Sequence, residues 1–519
     1  VKARLCLLSA VAAAAALVAG CTTVGPDYHL PDHAVMRSPE ANGPITTAAQ
    51  HGVSIGAVPD DWWQLYDDPK LDALVKAALA ANTNVRVAAA NVQRALAMYH
   101  EVESENLPQG GVQAEAARAQ ISGESFLKEE KLPVVNLAAA ALSISYQIDF
   151  FGKLARADEA ALAAAEASQA ALDVVRVSVA AETVRAYVQG CAANHEFDIA
   201  NEQLTLQEKS VAITRKLVDA GRDQPTDLLR AQAQADTLRA ALPHFQAQHD
   251  AATYRLAVML GKVPGTLDPS AAQCRRIPQL AQPLPVGDGT ALLKRRPDVR
   301  QAERELASAT AKIGVATADL YPSIRIGASI GASGVLEHFG QGRTEQWSVG
   351  PMITWSLPTN GVRSHIKGME AGADAALAHF DGVVLKALQE TQTSLSAYTH
   401  ELQRDDALRD ARDKSRAAAE QNHKLYQAGR APYLTSLDAE RTHASAEAAL
   451  AASETQVALD QVNLFLALGG GWQSSAVSAA NAASTANATL EKASPAASHK
   501  TAASDDTPAT STASSASLH

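Results

Sequence analysis

The apolar and polar positions of this 519-residue chain repeat with two periods, and each period predicts its own kind of element. From Lys153 to about Ala220 the apolar positions step by sevens. Phe197, Leu204, Val211 and Val218 form one row, and Ile199, Leu206 and Ile213 a second. Val174, Val177, Ala181, Val184 and Val188 make a third row that alternates three and four. No proline interrupts the run before Pro225. A sustained heptad predicts coiled-coil packing against neighbouring helices. At ~1.5 Å per residue, such a helix is on the order of 100 Å long. Asp149-Phe150-Phe151-Gly152 leads into it from a strand, which predicts a tube with a sheet at one end.

The second period is two, the signature of half-buried strands. It covers Gly111 to Gln120 and Leu137 to Phe150, where Leu142, Ile144, Tyr146, Ile148 and Phe150 alternate with Ser143, Ser145, Gln147 and Asp149. It returns where Ile324, Ile326, Ala328 and Ile330 alternate with Arg325, Gly327 and Ser329, and where Trp347, Val349, Pro351, Ile353 and Trp355 alternate with Ser348, Gly350, Met352 and Thr354. Trp347 and Trp355 share a face roughly 26 Å apart at strand rise, the spacing of an outer-membrane aromatic girdle. The strands are expected at about 111–121, 137–150, 323–333 and 347–357.

The two halves of the chain read alike. Lys216-Leu217-Val218-Asp219-Ala220-Gly221-Arg222 recurs as Lys424-Leu425-Tyr426-Gln427-Ala428-Gly429-Arg430, an offset of 208 (424 − 216), and Leu260-Gly261 recurs at the same offset as Leu468-Gly469. An internal two-fold repeat follows. One repeat spans 61–261 and the other 291–470, divided by a Pro/Gly-rich segment at 262–290. In the first, a single helix is expected from Pro69 to about Asn106, a returning helix from Thr226 to Leu260 bent near Pro243, and an extended linker ahead of both, over 21–60. In the second, a proline-started helix ends at Tyr321-Pro322, a long helix runs from Val362 to Gln427, and a last one from about Pro432 to Leu468.

Composition narrows the class. The chain is 47% hydrophobic but only 4% aromatic, so alanine-rich helices with thin seams are expected rather than one bulky core. A net charge of −11 argues against nucleic acid as a partner. The sequence contains no HExxH, P-loop, dinucleotide fingerprint or Gly-x-Ser-x-Gly elbow, so no enzyme, cofactor or metal is expected. His423 and His443 stand at no ligand spacing and read as solvated. Cys191 and Cys274 are able to meet in an oxidising compartment, and their spacing leaves open whether they pair.

Residues 1–20 read as a signal segment: Lys2 and Arg4, an apolar stretch from Leu5 to Val18, then Val18-Ala19-Gly20-Cys21. Small residues before a cysteine resemble a lipobox, which makes Cys21 the expected site of acylation. By resemblance to lipoprotein sorting in Gram-negative bacteria, Thr22 rather than aspartate behind it favours the outer membrane. Residues 473–519 are Ala/Ser/Thr-rich without periodicity and read as a disordered tail.

Several motifs then combine. Cys21 to Tyr28, Trp62-Trp63 to Leu71, Asp149-Phe150-Phe151-Gly152-Lys153, Arg295-Arg296-Pro297-Asp298-Val299-Arg300 with Ala302-Glu303, and Tyr433-Leu434 with Leu437-Asp438-Ala439 and Arg441 resemble the TolC-like outer-membrane efflux protein family. Within it they are most similar to the NodT/OprM-type lipoprotein branch. The resemblance covers roughly 18 to 470. It implies a mostly α fold with a small β part: a long coiled-coil helical barrel in the periplasm and four transmembrane strands per subunit, closed as a homotrimer into a twelve-stranded β-barrel. Four strands alone enclose no usable lumen, so closure also demands further copies.

The function implied is a duct exporting drugs or other toxic small molecules, with a periplasmic adaptor and an inner-membrane resistance-nodulation-division (RND) transporter as partners. Two alternatives remain open from the residues alone: a lipid-anchored structural coiled coil, and the exit duct of a type I protein secretion system. Ile326, Trp347, Val349, Ile353 and Trp355 are expected to face lipid. Leu434, Asp438 and Arg441 step by four and three on one helical face. Spacing alone makes them a solvated face with an i,i+3 ion pair worth a few tenths of a kcal/mol. The resemblance instead assigns them to the closed periplasmic aperture, with Asp438 in a threefold acidic ring. Thr435 stands where some relatives carry a further acid, so one acidic ring is expected rather than two.

Overall fold

The computed structural model describes residues 23–45, 52–122, 124, 127, 129–267, 274 and 276–470. The signal segment, Cys21 and the expected C-terminal tail lie outside these residues. Among the described residues the helices are α1 (Pro39–Asn42), α2 (Pro69–Ala81), α3 (Thr83–Ser104), α4 (Lys153–Asp219), α5 (Pro225–Met259), α6 (Gly289–Arg295), α7 (Pro297–Ala318), α8 (Asn360–Gln427) and α9 (Tyr433–Ala467). The strands are β1 (Val53–Ile55), β2 (Gln109–Ala119), β3 (Val135–Ile148), β4 (Leu284–Val286), β5 (Ser323–Val335) and β6 (Glu345–Thr354).

The long helices α4 and α8 contain 67 and 68 residues. The shorter returning helices, α5 and α9, begin 208 residues apart (433 − 225) and end 208 apart (467 − 259). Both long helices stop in the same way. Gly221 and Gly429 take left-handed φ of 67° and 68°, a conformation that a Cβ disfavours. The following amides close back on the last turn, Arg222 N–H to Leu217 O and Arg430 N–H to Leu425 O, each at 2.8 Å. This glycine cap satisfies carbonyls that a helix end would otherwise leave bare.

The heptad rows differ in burial. Val177, Ala181, Val184 and Val188 are buried, the last three of them in the largest apolar cluster, whereas Leu206 in the lower half of α4 is 47% exposed. That cluster is closed by the Trp62-Trp63 segment. Trp62 is fully buried and stacks on Phe465 of α9 with ring centroids 4.5 Å apart, while Tyr66 packs among Tyr187, Leu395 and Tyr398.

Three expectations are corrected. The helix expected from Pro69 to Asn106 is two helices, because buried Asn82 ends α2 and caps α3. Its Oδ1 accepts from Asn84 N–H at 2.8 Å, while its Nδ2 donates to Met259 O at 3.0 Å. The segment expected as an extended linker is strapped down. Arg156 of α4 donates to Val24 O (3.2 Å), Gly25 O (3.3 Å) and Asp27 Oδ1 (2.6 Å), and Tyr28 donates to Glu303 Oε1 at 2.9 Å. Farther along, β1 pairs in parallel with β4, joining this segment to 284–286. The third correction concerns the histidines and is given with the site below. Cys191 and Cys274 do pair, with Cα atoms 5.0 Å apart, which ties the inter-repeat segment to the middle of α4.

Arg295 and Arg296 have a structural use. Arg295 donates to Leu468 O and to Val58 O at 2.8 Å. Arg296 donates to Ala467 O at 2.8 Å and also holds Asp298 and Glu390. Two guanidinium groups on the last carbonyls of α9 complement the negative end of that helix.

Candidate functional site

Two regions carry the chemistry: the sheet, and the end of the helices where α4 and α8 turn back. The sheet has the order β2-β3-β5-β6, antiparallel throughout, and it is open, with β2 and β6 as its edges. Register decides its faces, because directly paired residues point the same way. Val112 pairs with Leu142, Leu142 with Ile330, and Ile330 with Trp347. Tyr146 pairs with Ile326, and Ile324 with Ile353. Val349 lies opposite Ala328. Ile326, Trp347, Val349 and Ile353 therefore share one face.

That face is both apolar and uncovered: Val112 is 81% exposed, Trp347 77% and Ile353 65%. Among the exposed large apolar residues of these strands, Met352 alone sits on the opposite face, with Ser143, Gln147, Arg325 and Ser348. An apolar sheet face of this size on a single chain marks a surface that another phase or chain covers. Trp355 lies just beyond β6, and its indole N–H donates to Leu320 O at 3.1 Å. β3 likewise ends at Ile148 rather than Phe150, since Asp149 Oδ2 accepts from Ala155 N–H and opens α4.

At the other end, Leu434, Asp438 and Arg441 lie in the first turns of α9, and all three are exposed. The ion pair that spacing allows between Asp438 and Arg441 is not formed. Arg441 Nε instead donates to Gln234 Oε1 of α5 at 2.9 Å, linking the two returning helices, and the Asp438 carboxylate is left without a partner among the described residues.

The sequence reading missed a latch beside this triad. Tyr426, on the last turn of α8, donates to Asp223 Oδ2 at 2.8 Å and lies 3.0 Å from Thr214 Oγ1 of α4. Burial pushes the Tyr426 phenol well above its usual range, and Asp223 beside it acts in the same direction. Tyr433 packs against Tyr426, with centroids 5.3 Å apart. The latch thus joins one repeat's turn to the other's. A signal was present, since Tyr426 is one of the two positions where the repeated heptapeptide departs from its first copy, which has Val218 there.

The histidines also differ from expectation. His423 and His443 line a cavity of about 530 Å³ bordered by Leu206, Gln234 and Arg441. His423 lies 3.1 Å from Glu440, whose carboxylate raises the pKa of the imidazole, and His443 lies 3.6 Å from Glu447. Both imidazoles are half-buried beside acids rather than solvated, His423 against Glu440 of the neighbouring helix α9 and His443 against Glu447 of its own.

Known proteins match this arrangement along most of its length. A family model described as outer membrane efflux protein matches residues 74–262 and 290–470. Nodulation protein T of Rhizobium leguminosarum bv. viciae is 28% identical over 481 residues, 92% of this chain and 97% of that protein. A toluene efflux pump outer membrane protein of Pseudomonas putida, TtgC, is 28% identical over 473 residues, 90% of this chain and 96% of that protein. The solved structure of the outer-membrane channel OprN superposes with a TM-score of 0.80 at 36% identity, covering 87% of this chain and 100% of that one. The family match takes in both halves of the chain, and with them the helices and strands just described: the chain belongs to the outer membrane efflux protein family.

Proposed function

We propose that this chain is the outer-membrane duct of a tripartite RND-type efflux pump, working as a homotrimer that takes drugs or other toxic small molecules from an inner-membrane transporter through a periplasmic adaptor. The observation that carries the reading is the open four-stranded sheet, apolar on one face and unpaired at β2 and β6, mounted on helices of 67 and 68 residues. An uncapped sheet edge invites pairing with another chain. If β6 of each copy pairs with β2 of the next, three copies give twelve strands and a closed barrel, which removes every edge. Lipid then covers the face that holds Ile326, Trp347, Val349 and Ile353, with Trp355 at its rim. Deleting the protein from its host and screening a broad panel of toxic compounds tests the role. Sensitisation is expected, and unchanged tolerance together with loss of one secreted protein would point to type I secretion instead.

The closed aperture is placed at Leu434, Asp438 and Arg441. Threefold symmetry gathers three unpaired Asp438 carboxylates at the narrow end. The Arg441–Gln234 bond and the Tyr426–Asp223 latch hold the helices in place, the latter a hydrogen bond to a charged acceptor worth about 1.5–3 kcal/mol. Replacing Asp438 and Arg441 together with alanine is expected to raise the single-channel conductance of purified trimers. Asp438→Ala alone is expected to weaken block by multivalent cations, because the ring concentrates them there. Conductance and block both at wild-type values would remove the gate from this site.

Cys21 is proposed as the acylated residue, giving a second attachment beside the barrel. Cys21→Ser is expected to abolish lipid labelling while leaving part of the protein in the membrane, since the strands still insert. Labelling that persists in the variant would refute the assignment.

A further inference from the structure

The polar face of the sheet carries two formal charges among its strand residues. Glu115 lies toward the loop end of β2, and Arg325 lies near the helices. Arg325 belongs to one row of the ladder, Gln147–Arg325–Met352. Its Nε and Nη2 both donate to Gln147 Oε1, at 3.2 and 3.0 Å, and it forms no ion pair among the described residues. An amide acceptor orients the guanidinium without neutralising it. The neighbouring carboxylate, Asp149, lies just past the end of β3 and accepts from Ala155 N–H of α4. Beside Arg325 in the same row stands Met352, 54% exposed and the one exposed large apolar residue of these strands on this face. A fixed cation flanked by an exposed thioether is complementary to an anionic head on an apolar body.

We propose that the lower barrel contains a cationic collar, one Arg325–Met352 pair per copy, that binds amphiphilic organic anions on their way out. This rests on the trimeric-duct reading above. A twelve-stranded barrel at ~4.8 Å strand spacing and ~40° tilt has a backbone radius of about 12 Å. An inward guanidinium reaches roughly half of that, so at 0.1 M salt the channel axis lies within the ~10 Å Debye length of all three charges. The collar therefore acts on everything that passes. It stands in series with the acidic aperture and has the opposite sign, so the duct has a cation-favouring end at Asp438 and an anion-favouring one at Arg325.

Reversal potentials of purified trimers in a KCl gradient near 0.1 M test the charge. Arg325→Gln is expected to lower the chloride-to-potassium permeability ratio by about two- to three-fold, in line with a focused surface potential. Gln147→Glu should do the same by pairing with the guanidinium in place, and Arg325→Lys should retain the wild-type ratio, so the test survives if one variant fails to assemble. Octanoate added on the barrel side is expected to reduce conductance more than acetate at equal concentration. Met352→Ser should abolish that difference without moving the reversal potential. A ratio unchanged in both Arg325→Gln and Gln147→Glu overturns the collar while leaving the duct standing. Octanoate and acetate acting alike on the wild type overturns the amphiphile specificity. A wild type that forms no channel overturns duct and collar together.

Discussion

Ile353→Arg is expected to abolish trimer assembly in the outer membrane, or to leave a barrel that dissociates under mild heating. Ile353 is 65% exposed in the single chain and lies opposite Ile324 on the apolar face. An arginine facing lipid at the bilayer midplane of a β-barrel costs about 2–4 kcal/mol, and each trimer carries three copies. A folded domain holds only about 5–15 kcal/mol in reserve, so the combined penalty is comparable with the whole. Ser348→Arg is the matched control, since Ser348 pairs with Ser329 on the polar face, where the same side chain reaches water. Unboiled gel mobility of outer-membrane fractions reads the outcome. Normal trimers from Ile353→Arg with failed assembly of Ser348→Arg would mean that the faces are reversed.

Removing the Cys191–Cys274 bridge is the second large effect expected. The cysteines are 83 residues apart, and closing a loop of that length in the unfolded chain stabilises the native state by about 4.5 kcal/mol on the chain-entropy account. The bridge is also local reinforcement. Cys191 is fully buried in α4, and Asn194, one helical turn on, donates to Cys274 O at 3.1 Å. The Cys191→Ala/Cys274→Ala protein is expected to unfold at lower denaturant concentration than wild type, with an earlier proteolytic cut after Lys262 or Arg276. Reductant should bring wild type to the behaviour of the variant and leave the variant unchanged. A wild type whose midpoint does not respond to reductant would show that the bridge contributes nothing to stability.

Both effects depend on the family's usual home. The outer-membrane setting supplies the lipid that Ile353 is proposed to face, and an oxidising compartment keeps the cysteines joined.

What the sequence determined by itself is the set of long elements, because each has a local cause. A proline-free heptad run and its counterpart in the second repeat gave α4 and α8 to within two residues of their ends. Strict alternation predicted the four long strands, and the shared offset of 208 predicted paired turns at Gly221 and Gly429. Period two also sorted Ile326, Val349 and Ile353 from Arg325 and Ser348, since a strand's two faces are written in its parity.

The tertiary structure decided everything that joins residues far apart. Parity within a strand does not say which residues of its neighbour share its face, and the register that sets Arg325 between Gln147 and Met352 comes from pairing across 178 positions on one side. Spacing offered Arg441 an acid three residues away, yet it turns to Gln234, 207 positions distant. An exposed i,i+3 pair is worth only tenths of a kcal/mol, too little to hold a side chain that a neighbouring helix can also receive. Tyr426 meets Asp223 across 203 positions, and Asn82 breaks a helix because Met259 O is there to receive its amide. In each case the local chain allowed several partners of similar energy, and the choice was made by which helix the fold had already brought alongside.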